Sequence, residues 1–158
     1  MAAARRRIAI GSDEGTALTE AIVGALRQRD LDVDLFGALT DDDPNWPVVA
    51  RKVAERVASG EYELGVLCCW TGTGVSMAAN KVPGARAALC ADAETARGAR
   101  KWNDANILCL SLRLTSPALA EEVLDAFLTT GVDGSEEANI QRLRAMDEAS
   151  HPEAGLQR

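Results

Sequence analysis

Leu64-Gly65-Val66-Leu67-Cys68-Cys69-Trp70-Thr71-Gly72-Thr73-Gly74-Val75-Ser76 begins as an apolar run, closes on a thiol and continues into a glycine-rich turn. The run has the length and bounds of a buried strand, and a helix starting near Gly74 continues through Met77, Ala78 and Ala79 to Asn80 and Lys81. A thiol in this position lies near unpaired backbone N–H groups and the positive end of a helix dipole, which favour its thiolate. The same N–H groups can hold a developing oxyanion. A base beside an oxyanion site is the minimum needed to take a proton from a carbon next to a carbonyl. The turn lacks the Gly-Lys-Ser/Thr ending of a nucleotide P-loop, so that reading is set aside.

Outward from this stretch, short apolar runs alternate with amphipathic ones. Strands are expected over 7–11, 33–36, 64–69, 85–89 and 107–110, and helices over about 16–29, 47–59, 74–81, 93–102, 117–129 and 136–149. Leu18, Ile22, Val23 and Leu26 share one helical face, as do Val49, Val53 and Val57. Strand–helix alternation predicts right-handed crossovers and a parallel sheet covered on both faces, in a flavodoxin-like or Rossmann-like order. Ligands sit at the carboxyl ends of such strands, which places Asp13, Glu14, residues 69–76 and the region after Leu89 on one rim. A single domain over 1–149 and a disordered tail over 150–158 are expected.

The bulk numbers agree with a globular chain: 158 residues, 47% apolar and 26% charged, with a net charge of −7. That charge argues against a nucleic-acid partner but leaves room for a local arginine cluster around one phosphate. The arginines at 5–7 are followed directly by a strand, not by an apolar signal core, and nothing reads as a membrane span. Cys68, Cys69, Cys90 and Cys109 form no CxxC pair and the single histidine is His151, so no metal or other cofactor is expected. Unpaired apolar cysteines suit the cytoplasm.

Beyond these readings, Gly65 through Lys81 resembles the ribose-5-phosphate isomerase B and galactose-6-phosphate isomerase family. That family typically reads G-x-L-x-C-G-T-G-x-G-x-S-x-A-A-N-K here. The similarity continues through Val82-Pro83-Gly84-Ala85-Arg86-Ala87-Ala88-Leu89-Cys90 and Asn103-Asp104-Ala105-Asn106-Ile107-Leu108-Cys109-Leu110, and includes the opening Ile8-Ala9-Ile10-Gly11-Ser12-Asp13. The resemblance implies a Rossmann-like three-layer α/β/α sandwich with a five-stranded parallel sheet, in a homodimer or dimer of dimers with active sites between subunits. The C-terminal helix would pack on the partner. It also implies metal-independent aldose–ketose isomerisation of sugar phosphates through an enediolate. Carried across, Cys69 matches the base and Thr71 a residue of ring opening and proton handling. Gly72, Gly74, Val75 and Ser76 match the oxyanion cradle. Asp13 and Asn103 match polar contacts to substrate, and Arg113 matches a phosphate-side arginine.

The departures are specific. Glu14 and Trp102 stand where the family usually carries histidine, the latter a ring-opening residue; Trp46 replaces Tyr, and Trp70 replaces Gly. Glu136 and Glu137 occupy a segment where the family often places basic phosphate ligands, with Arg142 and Arg144 one to two turns later. A carboxylate beside a phosphate in a poorly screened pocket repels it. These changes imply altered specificity, with the three tryptophans forming one apolar wall of the substrate site. An alternative is a non-catalytic or repurposed homologue that binds a sugar-like or carboxylated metabolite. Plainer readings stand beside these: Asp13 and Glu14 as a polar helix start, the tryptophans as interface packing, and Glu136-Glu137 as a solvated helix start.

Overall fold

The computed structural model describes residues 3–150. Five parallel strands and six helices follow in the order β1 (Arg7–Ser12), α1 (Ala17–Arg27), β2 (Asp32–Gly37), α2 (Trp46–Ala58), β3 (Leu64–Cys69), α3 (Thr73–Ala79), β4 (Ala87–Leu89), α4 (Ala93–Asn103), β5 (Ile107–Ser111), α5 (Pro117–Thr129) and α6 (Glu137–Ser150). Ser150 thus closes α6, and 151–158 of the expected tail lie outside the described residues. No helix among the described residues is long and apolar enough to cross a membrane.

The α/β class holds, but the strand order is β2-β1-β3-β5-β4, so the last two strands exchange places relative to a flavodoxin-like sheet. Burial explains the exchange. Every residue of β5 is buried, as a strand with two neighbours requires, whereas β4 has three half-buried or exposed residues and suits an edge. The start of β4 also moves in from the expected position at 85. Ala85 N–H turns back to the Val82 carbonyl at 3.0 Å, and Arg86 N–H donates to Asn106 Oδ1 at 2.7 Å, so neither enters the ladder there. The β4 margin carries its own clamp: the Asn80 side chain donates to the Ala87 carbonyl at 2.9 Å and accepts from its N–H at 2.8 Å.

Side chains alternate across the sheet with the period of two that strands impose. Ile8, Ile10, Val66, Cys68, Leu108 and Leu110 enter one core, with α1, α4 and α5. Ala9, Leu67, Cys69, Ile107 and Cys109 enter the other, under α2 and α3. The adjacent cysteines of β3 therefore face opposite layers.

Candidate active site

The site is built where β3 stops. Cys69 is its last residue, on the α2–α3 side, and its carbonyl accepts from Leu112 N–H at 3.0 Å. Gly72 then takes the left-handed conformation (φ 74°) and serves as the N-cap of α3, with no side chain capping the helix. Ser76 donates its N–H to the Gly72 carbonyl at 3.3 Å. Thr73, Gly74 and Val75, in the turn before it, have N–H groups with no acceptor among the described residues. Ser76 is thereby committed to its own helix, and its hydroxyl faces the Cys109 thiol. Thr71 and Thr73 share a hydroxyl–hydroxyl hydrogen bond of 2.7 Å at the exposed lip of the turn.

Two elements flank the turn. At the end of β1, Ser12 Oγ donates to the Glu14 carbonyl and accepts from the Glu14 N–H, folding the chain so that Asp13 comes close to Cys68. One carboxylate oxygen of Asp13, Oδ1, is buried without a hydrogen-bond partner. Burial raises the Asp13 carboxyl above its ordinary range; its own backbone N–H offsets part of this, and Glu14 pushes it further up. From α2, the Trp46 indole lies on the first turn of α3. A side chain at Gly74 would begin 3.1 Å from Trp46 Cε3. Arg113 reaches the same rim through a hydrogen bond from its N–H to the Trp70 carbonyl at 3.1 Å, and its guanidinium is exposed.

The structure gathers Asp13, Glu14, Trp46, Cys69, Trp70, Thr71, Gly72, Gly74, Val75, Ser76 and Arg113 at the carboxyl rim. It does not bring Trp102 and Asn103 there. Helix α4 leaves the rim after β4 and runs back toward the start of β5. Its 11 residues span roughly 16 Å at 1.5 Å per residue, so its last turn lies at the amino end of the sheet. Trp102 folds back on its own helix against Gly98, under the Lys101 ammonium at 5.4 Å. A wall of three indoles is therefore not formed within one chain, because the crossover carries the third to the opposite end. The only aromatic pair among the described residues is Phe36 with Tyr62. Asn103 instead lines a cavity of about 660 Å³ between α6 and the β4 margin, with Lys81, Arg86, Leu143 and Met146.

Sequence reasoning missed the polar hub beside that cavity. Asp104, left-handed at the end of α4 (φ 50°), receives Arg86 at 3.2 Å, Arg100 at 3.9 Å and Arg144 of α6. Asp147 of α6 accepts from Gly84 N–H at 2.9 Å. Asn-Asp at a helix end hints at the left-handed cap, but partners 18 and 40 residues away leave no local signal.

Residues 8–146 match the family model described as Ribose/Galactose Isomerase. The chain belongs to this isomerase family. Among its relatives, the ribose-5-P isomerase B of Listeria innocua is 34% identical over 144 residues, which cover 90% of this chain and 97% of that one. The D-erythrulose-4-phosphate isomerase of Pectobacterium atrosepticum is 39% identical, over 80% of this chain and 85% of that one. The solved type B ribose 5-phosphate isomerase of Trypanosoma cruzi superposes with a TM-score of 0.85 at 41% identity, covering 94% of this chain and 99% of that one. Family membership places this chain among isomerases, and no metal-binding group of His, Cys, Asp and Glu occurs among the described residues.

The four cysteines of this isomerase are unpaired and unequal. Cys68 and Cys109 have no exposure, Cys90 has 1% and Cys69 has 6%. Burial pushes the Cys68 thiol up to about 12 and the Cys90 thiol up to about 11, and holds the Cys109 thiol well above its ordinary value. Native protein treated with iodoacetamide is therefore expected to label Cys69 first, with the other three reacting only after unfolding. Peptide mass mapping reads this directly, and comparable early labelling of Cys68 or Cys109 would contradict the arrangement.

Proposed function

We propose that this chain is an aldose–ketose isomerase of sugar phosphates in which Cys69 is the base. The observation that carries the reading is the end of β3, where the Cys69 thiol is followed directly by the open N–H groups of the next helical turn, beside the end of β1, where Asp13 has one buried oxygen without a partner. In the forward step the Cys69 thiolate takes the proton from C2 of an aldose. The C–H electron pair forms the C1–C2 double bond, and the carbonyl pair moves onto O1. Backbone N–H groups of residues 73–75 hold that charge. Asp13 relays the hydroxyl proton between O2 and O1, and the thiol returns its proton to C1. C1 is reduced and C2 oxidised within one molecule, so no co-reactant is consumed.

The amino-end position of Trp102 and Asn103 favours a site completed by a second copy, in a homodimer or a dimer of dimers. The exposed apolar residues Trp46, Trp70, Met77, Leu89, Trp102, Leu143 and Met146 supply the surface for it, with α6 packing on the partner. Altered specificity is supported by Glu14, Trp46 and Trp70 crowding the rim. The four unpaired cysteines fit a cytoplasmic enzyme.

The test is incubation with ribose 5-phosphate and, separately, erythrose 4-phosphate in deuterated water, read by NMR. Ketose formation with deuterium entering at the exchanged carbon is expected, and failure with both substrates from a folded protein refutes the reading. A second expectation concerns Asp13. Its raised carboxyl binds a proton more tightly in the native state than in the unfolded one, so it costs stability as pH rises through its folded value. Asp13→Asn is expected to lose activity yet melt slightly higher at pH 7, with the gain vanishing below about pH 4, the ordinary aspartate range. A lower melting point at pH 7 would show that the carboxylate is structurally satisfied.

A further inference from the structure

We propose that Ser111 is a positioning residue of the isomerase site, whose hydroxyl fixes the peptide that leaves Cys69 against the loop that carries Arg113. This role rests on the isomerase reading above and adds a residue to it.

Ser111 ends β5 and is the ladder partner of Cys69. It is only 6% exposed, and a polar side chain buried so deeply needs partners. Its Oγ donates to the Trp70 carbonyl at 3.0 Å and accepts from Leu114 N–H at 3.3 Å. Its carbonyl accepts from Thr115 N–H at 3.1 Å, which closes the turn that presents Arg113. The buried hydroxyls of Ser12 and Thr19, by contrast, bond within three residues of themselves. Ser111 reaches 41 residues along the chain, to the segment that holds the base.

Three hydrogen bonds join the two segments. Leu112 N–H donates to the Cys69 carbonyl at 3.0 Å, Arg113 N–H to the Trp70 carbonyl at 3.1 Å, and Ser111 Oγ to that same Trp70 carbonyl. The first two are main-chain bonds and do not depend on side-chain identity. The third is the one that the residue type controls. Two donors on one carbonyl, both from the end of β5, fix the plane of the peptide between Trp70 and Thr71. A trans peptide points its N–H opposite its carbonyl, so Thr71 N–H is held on the edge away from β5. On that side of β3 lies β1, with Asp13 directly after it. Thr71 N–H has no acceptor among the described residues. Without the hydroxyl, Leu114 N–H loses its acceptor and the Trp70 carbonyl keeps a single donor. The turn after the base and the turn of Arg113 then shift independently of each other.

The test assays Ser111→Ala with ribose 5-phosphate and erythrose 4-phosphate, alone and combined with Arg113→Ala, with melting followed by circular dichroism. In Ser111→Ala, kcat is expected to fall about tenfold from the displaced turn, and KM to rise about threefold from the loosened Arg113 loop. In the Arg113→Ala background the kcat loss should persist and the KM effect vanish, because the group that the loop presents is gone. A purely structural serine would lower the melting point and leave kcat and KM of the folded fraction at parent values, which would overturn the proposal. So would a KM rise equal in both backgrounds, or an Arg113→Ala variant with the parent's KM. Each of these results leaves Cys69 as the base. No turnover of either sugar phosphate by the parent protein would overturn the isomerase reading and the role of Ser111 together.

Discussion

Cys69→Ala is expected to lower kcat/KM for the interconverted sugar phosphate by about a hundredfold to ten-thousandfold, the range that a positioned general base contributes. The loss should fall on kcat and leave KM nearly unchanged, since the residues proposed to hold hydroxyls and phosphate, Asp13 and Arg113, are untouched. The fold should survive. The side chain is only 6% exposed, but replacing a thiol with a methyl removes one buried atom, which costs about 1 kcal/mol. Cys69→Ser sharpens the result: a hydroxyl of similar shape keeps the packing yet is a far weaker acid, so most of the loss should persist. Steady-state kinetics with circular dichroism as a folding control checks both variants. A fall of less than threefold in Cys69→Ala would remove the thiol from the mechanism.

Gly72→Ala is expected to destabilise the fold by about 2–5 kcal/mol and to abolish most activity with it. The glycine sits at φ 74°, and a Cβ there would meet the backbone carbon and oxygen of Leu110 at 3.0 and 3.1 Å. Leu89 could rotate away; the main chain of β5 could not. Relief requires lifting the turn off the sheet, which displaces the same N–H groups that face the proposed oxyanion. For a domain of this size the melting temperature should drop by roughly 5–15 °C. Gly24→Ala is the control. It lies in α1 with nothing within 4 Å of the added carbon, and the exchange should be neutral or stabilising by about 0.5–1 kcal/mol. Equal melting of the Gly72 variant and the parent would mean that the turn adapts without strain.

The elements legible in the sequence were those written in local pattern. The run at residues 64–69, the glycine turn and the helical faces of Leu18-Ile22-Leu26 and Val49-Val53-Val57 all carry their own periodicity, and the β3 and α5 bounds agree residue for residue. The exchange of β4 and β5 was not legible, because neighbours in a sheet are chosen by burial on both sides. The family motif likewise named Trp102 and Asn103 without saying at which end of the sheet they lie. That follows from the direction of α4, a property of the crossover. The Asp104 hub escaped because two of its guanidinium partners, Arg86 just before β4 and Arg144 of α6, lie far from it along the chain.

The clamp of Asn80 on Ala87 has a consequence for how copies of this chain can meet. A parallel sheet ends in a margin of unsatisfied main-chain groups that invites a foreign strand to continue it. One amide side chain occupies both groups of Ala87, and on the far margin Asp32 and Asp34 of β2 place charge, with Asp34 paired to Arg7 at 3.1 Å. Open-ended growth by strand templating is thereby blocked at both sides, and self-association is confined to helices and loops, which favours closed particles of finite size over fibres.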